Sequence, residues 1–425
     1  MLGREEELIE LLNHADLNGL EDVLCGDALV TEIYNLKSYK LFNSLKEFLF
    51  TIFFFKIQVK LKKDYSKDRE IRSIIAIFSP SYGERMGFET DFDKLIGYFR
   101  YGTYIVKKNK SYFSFRYTIL LLRLFSWVKK LKTTKLNLAT RVRLCTMLLQ
   151  GFISYKELKR KIPNINHTDL LVTFCDVHPI DSVIIQKYKK SIKTATLQHA
   201  AFSHKVNGYA YSKSHSDYFL GISEYSKKEA VLSGYTNIDN YFVCGPLKYL
   251  GHKVKECSVS FELNNIGVAL SGPKFDYENT LLIESALEVA KSKKARVVFR
   301  SHPALSQKYS NIYKPGVDIS YNAGEMDGFI DSCDLFITGT TNTFADLLTM
   351  NKIAYRLVMP GKEDIFEIIN GFKFGNVNEL NTFIDEILKN PTKKMEELKV
   401  ARKLLCPEFP IERNYVSIIE KIIES

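Results

Sequence analysis

Short apolar runs alternate with helix-length polar stretches over most of the chain after residue 70, and this alternation constrains the fold more than any other feature. Runs such as 72–79, 169–175 and 193–198 are rich in β-branched and aromatic residues and predict buried strands. Stretches such as 178–190 and 276–294 predict helices. Strands joined by helices of this length are typical of parallel sheets, which bind ligands at the carboxyl ends of their strands.

The alternation is interrupted once and then resumes, which predicts two domains. Residues 247–263 are polar and basic, follow a Gly-Pro pair, and predict a linker. We predict an α/β protein of two doubly wound, Rossmann-like domains that face a cleft, formed by 1–246 and 264–407. A terminal helix in 408–425 is expected to pack back on the first domain. The other predicted strands are 216–222, 240–245, 265–271, 295–301, 316–321, 334–339 and 352–358, and the other helices are 223–235 (capped by Ser223), 324–333, 341–351 and 410–425.

The first domain carries additions that the alternating pattern does not explain. We expect them in 1–70 and 95–160, and we expect them to be mostly helical. Segment 41–63 contains an apolar run that falls well short of the ~20 residues a membrane-spanning helix needs. The segment predicts a buried helix or strand, and peripheral contact at a membrane surface is the alternative. Segment 118–135 also has an apolar run followed by basic residues, so the same alternative applies to it.

Charge and cysteine usage limit the partners and the compartment. The chain of 425 residues has 60 Lys and Arg against 49 Asp and Glu, a net charge of +11, which favours an anionic partner. A recognition helix, an RNP-like strand and zinc-ligand spacing are all missing, so no nucleic acid is expected. The seven cysteines occur singly, and the acidic N-terminus does not resemble a secretory signal. These features predict reduced thiols and a cytoplasmic protein.

Two histidines stand at the carboxyl ends of predicted strands. His199 follows the strand 193–198, and His302 follows the strand 295–301 in the other domain. Because ligands bind at this edge of a parallel sheet, we expect the two imidazoles to face each other across the cleft. Imidazole titrates near neutral pH, so either side chain could transfer a proton or stabilise a phosphate charge.

The stretch "DLFITGTTNTFADLL" (334–348) predicts an anion site at a strand-to-helix turn. Glycine allows a close backbone turn, and free N–H groups at a helix start attract phosphate. Asp346 would lie on the helix, where a carboxylate can bind a ribose diol. Plain helix capping is the alternative interpretation. The residues expected to contact a nucleotide are Ser271, Gly272, Arg300, His302, Gly339, Thr340, Thr341, Asn342, Thr343 and Asp346.

Three short motifs resemble those of the GT-B transferases that build bacterial surface polymers. They are Gln198-His199-Ala200, Arg300-Ser301-His302-Pro303, and Thr341-Asn342 followed by Asp346. The group includes capsule-type glycosyltransferases and the CDP-glycerol glycerophosphotransferases of teichoic acid synthesis, in which Q-H-G or H-G-T-P, R-x-H-P and S-S-x-x-x-D/E segments line the cleft. Ala200 replaces the glycine here, and Thr341-Asn342 replaces the serine pair. The resemblance spans about 165–360.

The resemblance implies an acceptor-side first domain, a donor-binding second domain and transfer of a sugar from a nucleotide-activated donor to a glycan or lipid-linked acceptor. His199 would take the proton of the acceptor hydroxyl. Glu84, Glu89 and Asp91 are competing bases, because they follow the first clear strand. Gln198 and His204 would lie on the acceptor side. No D-x-D motif stands in a strand-end loop where it would suit a metal-bound nucleotide, so we expect no metal and no cofactor.

Three alternatives remain open from the sequence. A polyol-phosphate transferase using CDP-glycerol or CDP-ribitol would keep the fold and change the group that moves. A sugar-nucleotide epimerase would use the same cleft without an acceptor. A non-catalytic interaction module on the same fold would be compatible with the substitutions at Ala200 and at Thr341-Asn342.

Overall fold

A computed structural model defines most of the region after residue 168 and parts of the region before it. The described residues are 45–46, 49, 55–63, 73–78, 92, 95, 100–110, 138–139, 141–143, 145–146, 160–161, 165, 168–174, 179–198, 214–251, 261–272, 275–302, 309, 312, 314–322, 326–362, 364–407 and 409–425. Within them, no helix is both long enough and apolar enough to cross a membrane.

Within the described residues, the first sheet contains seven strands in the order β1-β3-β2-β4-β5-β6-β7. All neighbouring strands are parallel except β1 and β3, which pair antiparallel at the edge. The chain leaves β2 for β3 on one side and reaches β4 on the other, so the strand order reverses at β2. The strands are β1 (Phe55–Lys63), β2 (Ser73–Phe78), β3 (Arg100–Lys110), β4 (Leu170–Thr173), β5 (Lys193–Leu197), β6 (Tyr218–Gly221) and β7 (Tyr241–Val243).

In the part of the chain that the structure describes, the second sheet contains six parallel strands in the order β10-β9-β8-β11-β12-β13. Counted from β8, this is the 3-2-1-4-5-6 order of dinucleotide-binding folds, and it reverses between β8 and β11. The strands are β8 (Asn265–Ala269), β9 (Arg296–Arg300), β10 (Ile319–Tyr321), β11 (Leu335–Thr338), β12 (Ile353–Leu357) and β13 (Lys373–Phe374).

The helices with described bounds connect these strands or follow them. They are α1 (Pro179–Tyr188), α2 (Glu224–Leu232), α3 (Asp276–Lys293), α4 (Met326–Asp331), α5 (Thr343–Thr349), α6 (Val377–Lys389), α7 (Pro391–Leu405) and α8 (Ile411–Glu424). Ser223 caps α2 as expected, because its hydroxyl accepts a hydrogen bond from Ser226 N at 3.0 Å. Asn376 and Asn390 cap α6 and α7 in the same way.

Each sheet has its own apolar core. Helix α3 buries Leu282, Ala286 and their neighbours against the second sheet. The terminal helix α8 lies on the first sheet instead, since Ile411, Tyr415 and Ile419 belong to the same buried cluster as Leu170 and Leu197. The hydroxyl of Tyr415 donates to the carbonyl of Gly245 at 2.9 Å. The last helix therefore returns from the second sheet to the first.

The predicted α/β class of two Rossmann-like domains is confirmed. The mostly helical expectation for 95–160 does not hold for 100–110, where the run "RYGTYIVKKNK" forms β3 between β1 and β2. Its tyrosines, isoleucine and valine favour a strand. Residues 55–63, within the ambiguous segment 41–63, form the edge strand β1. The segment 118–135 lies outside the described residues.

Candidate functional site

Three loops meet at the carboxyl edge of the second sheet, where the strand order reverses. They are 270–272 after β8, 301–302 after β9, and 339–342 after β11. Because β8 lies between β9 and β11, the chain leaves adjacent strands in opposite directions and opens a crevice between them. The sequence-predicted nucleotide contacts fall in or directly beside these loops.

A buried carboxylate ties the loop after β8 to the loop after β11. Glu278, in the first turn of α3, has only 2% of its surface exposed. Its Oε1 accepts hydrogen bonds from Ser271 Oγ at 3.0 Å and from Thr340 N at 2.6 Å. Its Oε2 accepts one from Thr340 Oγ1 at 2.7 Å. A single side chain therefore sets the relative position of two loops that are about seventy residues apart.

The neighbouring Asn279 completes the attachment of the loop after β8. Its Oδ1 accepts a hydrogen bond from Ser271 N at 2.8 Å, and its Nδ2 donates to Ser271 O at 3.0 Å. Both residues are buried. With Asn279 on its backbone and Glu278 on its hydroxyl, Ser271 is held by three hydrogen bonds.

Gly339 is required by the close approach of Glu278. A Cβ atom at position 339 would lie 1.8 Å from Glu278 Oε1, far inside contact distance. Only glycine lets the backbone pass this close to the carboxylate. The predicted role of Gly339, a close backbone turn, is thus explained by a side chain that the motif does not contain.

His302 lies over the loop after β8. A Cβ atom built at Gly272 would stand 3.8 Å from His302 Nε2, so the imidazole borders the space beside this glycine that a side chain would fill. The side chain of His302 is exposed. Arg300, at the end of β9, is half-buried, and its guanidinium carbon lies 6.0 Å from the centre of the Phe329 ring. Burial lowers the pKa of Arg300 from its ordinary value. The structure thus places His302 beside Gly272, while the guanidinium of Arg300, two residues earlier, lies over the Phe329 ring of α4.

The turn after β11 is bonded internally. The N–H of Thr341 donates to the carbonyl of Gly339 at 2.8 Å, and the N–H of Thr343 donates to Thr341 Oγ1 at 3.3 Å. The Thr341 hydroxyl in turn lies 3.3 Å from that of Thr343. These bonds are internal to the turn, and Asn342, the N-cap residue of α5, makes no side-chain capping bond. Phosphate binding by Thr341, Asn342 and Thr343 stays a prediction.

Asp346 joins the second sheet's domain to the chain that follows the first sheet. Its Oδ2 lies 2.6 Å from Lys248 Nζ, and the phenol of Tyr249 is hydrogen-bonded to the same carboxylate. Burial first, and then Asp346, raises the pKa of Tyr249 well above its ordinary value. Lys248 and Tyr249 form a short 3₁₀ helix just after β7. The predicted ribose ligand is therefore also a contact between domains.

A second contact confirms that the carboxyl edges of the two sheets lie together. Tyr225, near the start of α2 and so just beyond β6, donates its hydroxyl to the carbonyl of Ile365. Its ring centre lies 5.8 Å from that of Phe366. Residues 365–366 follow β12 at the same edge of the second sheet. The strand ends of one domain thus face those of the other.

On the first sheet, Gln198 is buried at the carboxyl end of β5. Its Oε1 accepts hydrogen bonds from Ile222 N at 3.0 Å and from the hydroxyl of Tyr241 at 2.6 Å. The amide oxygen thus links the carboxyl ends of β5 and β6 to the side chain of Tyr241, the first residue of β7, and it fixes the point from which the chain continues to His199. The acceptor-side role of Gln198 stays a prediction. His199, His204, Glu84, Glu89 and Asp91 lie outside the described residues.

Sequence reasoning missed Glu278, Lys248 and the buried pair Arg356–Asp364. Arg356 Nε and one terminal nitrogen bond to the two carboxylate oxygens of Asp364 at 2.8 and 2.5 Å. With Glu278, Gly339, Thr340 and residues 357–359 this pair lines a small pocket beside the loops. A signal for Glu278 was present: it stands four residues before Leu282 and eight before Ala286, on the buried stripe of α3.

No protein-family model matches the chain, and no curated protein matches it in sequence. Solved structures do match its fold. A Listeria monocytogenes protein described as a UDP-N-acetylglucosamine 2-epimerase superposes with a TM-score of 0.53 at 12% identity, over 83% of this chain and 97% of its own. The glycotransferase of kitacinnamycin superposes with a TM-score of 0.52 at 11% sequence identity, over 83% of this chain and 100% of its own. S. aureus MnaA, solved with UDP, superposes with a TM-score of 0.50 at 8% sequence identity, over 83% of this chain and 97% of its own. The chain therefore has the GT-B fold.

Proposed function

We propose that the protein is a glycosyltransferase that moves a sugar from a nucleotide-activated donor to a hydroxyl group of a glycan or lipid-linked acceptor, without a metal ion. The observation that carries the proposal is the convergence of Gly272, Arg300, His302 and the turn at Gly339–Thr343 on one edge of the second sheet. This edge is where Rossmann-like sheets bind nucleotides, and it contains the sequence motifs that resemble those of GT-B transferases.

The donor would bind between the loops of the second sheet. Arg300 and His302 carry the hydrogen-bond donors suited to a diphosphate, and they stabilise the negative charge that develops on the departing nucleotide. Asp346 would accept hydrogen bonds from a ribose diol. Its salt bridge with Lys248 does not prevent this, because a carboxylate has about four acceptor positions.

The catalytic base, which takes the proton of the acceptor hydroxyl, would come from the domain of the first sheet. His199 directly follows Gln198, which is held at the carboxyl end of β5 by hydrogen bonds from Ile222 N and the Tyr241 hydroxyl. In transfer, the acceptor oxygen forms a bond to the anomeric carbon, the bond from that carbon to the phosphate oxygen breaks, and the acceptor proton goes to the imidazole. Glu84, Glu89 and Asp91 are the alternative bases, because they follow β2, where the first sheet reverses its strand order.

A sugar-nucleotide epimerase is the second candidate. It is favoured by one of the similar structures, which is described as a UDP-N-acetylglucosamine 2-epimerase. Such an enzyme would bind the donor with the same loops and would need no acceptor. The basic first domain favours transfer to an anionic or lipid-linked acceptor instead.

The released nucleotide separates the candidates. The purified protein is incubated with UDP-, GDP- and CDP-activated donors, with and without a membrane-lipid extract from a bacterium that makes surface polysaccharide, and with EDTA or magnesium. Glycosyl transfer predicts a nucleoside diphosphate that appears only with acceptor and is unaffected by EDTA. Release of CMP from a CDP-polyol indicates polyol-phosphate transfer. An epimerised donor formed without acceptor indicates the epimerase. Turnover that requires magnesium would contradict the proposed metal independence.

A further inference from the structure

We propose that Glu278 is a positioning residue of the donor site, which holds the loops after β8 and β11 together and sets the hydrogen-bonding role of Thr340. The inference rests on the proposed function, since it concerns the same site. Glu278 is absent from the motifs that point to the function.

The geometry shows that Glu278 is built into the site. Its carboxylate is buried and accepts three hydrogen bonds, from the Ser271 hydroxyl, the Thr340 N–H and the Thr340 hydroxyl, at 3.0, 2.6 and 2.7 Å. Gly339 passes so close that no other residue fits beside the carboxylate. Carboxylates are almost never buried without compensating bonds, so these donors are what retain Glu278 in the core.

The direction of these bonds determines what Thr340 can offer to a ligand. A carboxylate accepts and does not donate, so the Thr340 hydroxyl gives its single proton to Glu278. Its backbone N–H is also used. What remains at this half-buried hydroxyl is an oxygen that accepts hydrogen bonds. A phosphate oxygen is also an acceptor and cannot pair with it, whereas a ribose hydroxyl, a sugar hydroxyl or an amide N–H can.

Glu278 therefore divides the donor site into a part that accepts hydrogen bonds and a part that donates them. Thr340 meets a hydroxyl or N–H group of the donor, and the diphosphate is left to groups such as Arg300 and His302. Ser271 is buried and contributes by fixing the loop that carries Gly272 beneath the imidazole of His302. This assignment removes Thr340 from the predicted phosphate contacts and keeps it in the site.

The test is a double-mutant cycle on nucleotide binding. UDP, CDP and GDP are titrated calorimetrically into the wild type, Glu278→Gln, Thr340→Val and the double variant. Glutamine preserves size but presents an N–H₂ group to the threonine hydroxyl. Because hydrogen bonds to charged groups contribute about 1.5–3 kcal/mol, each single variant should bind roughly tenfold to a hundredfold more weakly. The double variant should be no weaker than the worse single variant. Glu284→Gln, an exposed site on the same helix, is the matched control and should bind as the wild type does.

A second readout keeps the inference separate from the proposed function. Hydrogen exchange at the Thr340 amide should accelerate in Glu278→Ala, while amides within β9 keep their wild-type protection. Unchanged nucleotide affinity in Glu278→Gln, or additive losses in the cycle, would overturn the positioning role. If the wild type binds none of the three nucleotides, the proposed function fails. The exchange of Thr340 then decides alone whether Glu278 holds the loop.

Discussion

Lys248 Nζ and Asp346 Oδ2 lie 2.6 Å apart and connect the chain after the last strand of the first sheet to the helix α5 of the second. The lysine side chain is 41% exposed and the aspartate 16%. Solvent screens such a pair, so its contribution to folding is small. Its position matters more, because the aspartate belongs to the predicted nucleotide site.

Replacing each partner of the Lys248–Asp346 salt bridge in turn should distinguish the contribution of the salt bridge from the role of Asp346 in nucleotide binding. Lys248→Met is expected to lower the free energy of unfolding by only about 0.5 kcal/mol, because a partly solvated ion pair contributes little. If Asp346 binds a ribose diol, Asp346→Asn should weaken nucleotide binding while Lys248→Met should not. Denaturant titration and calorimetry on both variants make the comparison. Equal losses of affinity in the two variants would show that the salt bridge, and not ribose contact, is what binding requires.

The buried pair Arg356–Asp364 should be a main support of the second domain. Arg356 is 3% exposed and also donates to the carbonyls of Phe366 and Ile369. Removing one partner leaves a buried charge uncompensated, so Arg356→Met should lower the free energy of unfolding by about 3–5 kcal/mol. Asp364→Asn, which retains some of the hydrogen bonds, should cost less. Urea denaturation measures both, and a loss of less than 1 kcal/mol in Arg356→Met would contradict this view.

The same pair predicts a pH dependence. Burial raises the pKa of Asp364, but the hydrogen bonds and charge of Arg356 outweigh it, and the net pKa is below the ordinary value. A depressed carboxyl pKa stabilises the folded state fully above the unfolded value, about 3.9, and this stabilisation disappears as the pH falls through the folded pKa. The difference in unfolding free energy between wild type and Asp364→Asn should therefore be constant from pH 7 to about 5 and shrink below about 4. A difference that grows on acidification has the wrong sign for this mechanism.

Gly339 and Gly328 form a matched pair of glycines. Alanine at 339 would place a methyl group 1.8 Å from Glu278 Oε1, and we expect destabilisation by about 1–3 kcal/mol through overpacking. Alanine at 328, within α4, meets nothing within 4 Å and should stabilise by about 0.5–1 kcal/mol through helix propensity. Thermal unfolding compares the two variants. Opposite shifts are expected, and a neutral Gly339→Ala would mean that Glu278 moves away at little cost.

The side-chain amide oxygen of Gln198 should contribute to the stability of the first domain. Gln198→Leu leaves the buried hydroxyl of Tyr241 and the N–H of Ile222 without their acceptor, and should cost about 1–3 kcal/mol. Adding Tyr241→Phe removes one of the stranded donors, so the double variant should regain part of that stability. Denaturation midpoints for the three variants test this. No recovery in the double variant would indicate that the Tyr241 bond is not what the glutamine contributes.

The strand-and-helix order of residues 168–358 could be predicted because each run carries its own periodicity. The ends of β5, β9 and β11 lie within one residue of their predicted positions, and so Arg300, His302 and Gly339 could be assigned to one edge. Strand β3 could not be predicted in this way, because the run "RYGTYIVKKNK" mixes strand-forming residues with a lysine-rich end. Its conformation depends on pairing with β1 and β2.

Glu278 and Asp346 show the limit of motif reading within the site. Glu278 acts on residues 7 and 62 positions away, a relationship that exists only once α3 and β11 are folded together. Asp346 was recognised from its spacing after Thr341, but its salt bridge to Lys248 comes from a segment expected to be a linker. Contacts between elements distant in sequence leave no local pattern to read.

The most direct measurement is calorimetric titration of UDP, CDP, CMP, UMP and GDP into the wild type and into His302→Ala, first with EDTA and then with magnesium. The account predicts that one nucleotide binds tightly without metal and that His302→Ala loses at least tenfold in affinity, because the proposal makes the imidazole beside Gly272 a phosphate ligand. Absence of binding by every nucleotide, or equal affinity in the variant, would contradict the assignment of this edge of the second sheet as the donor site.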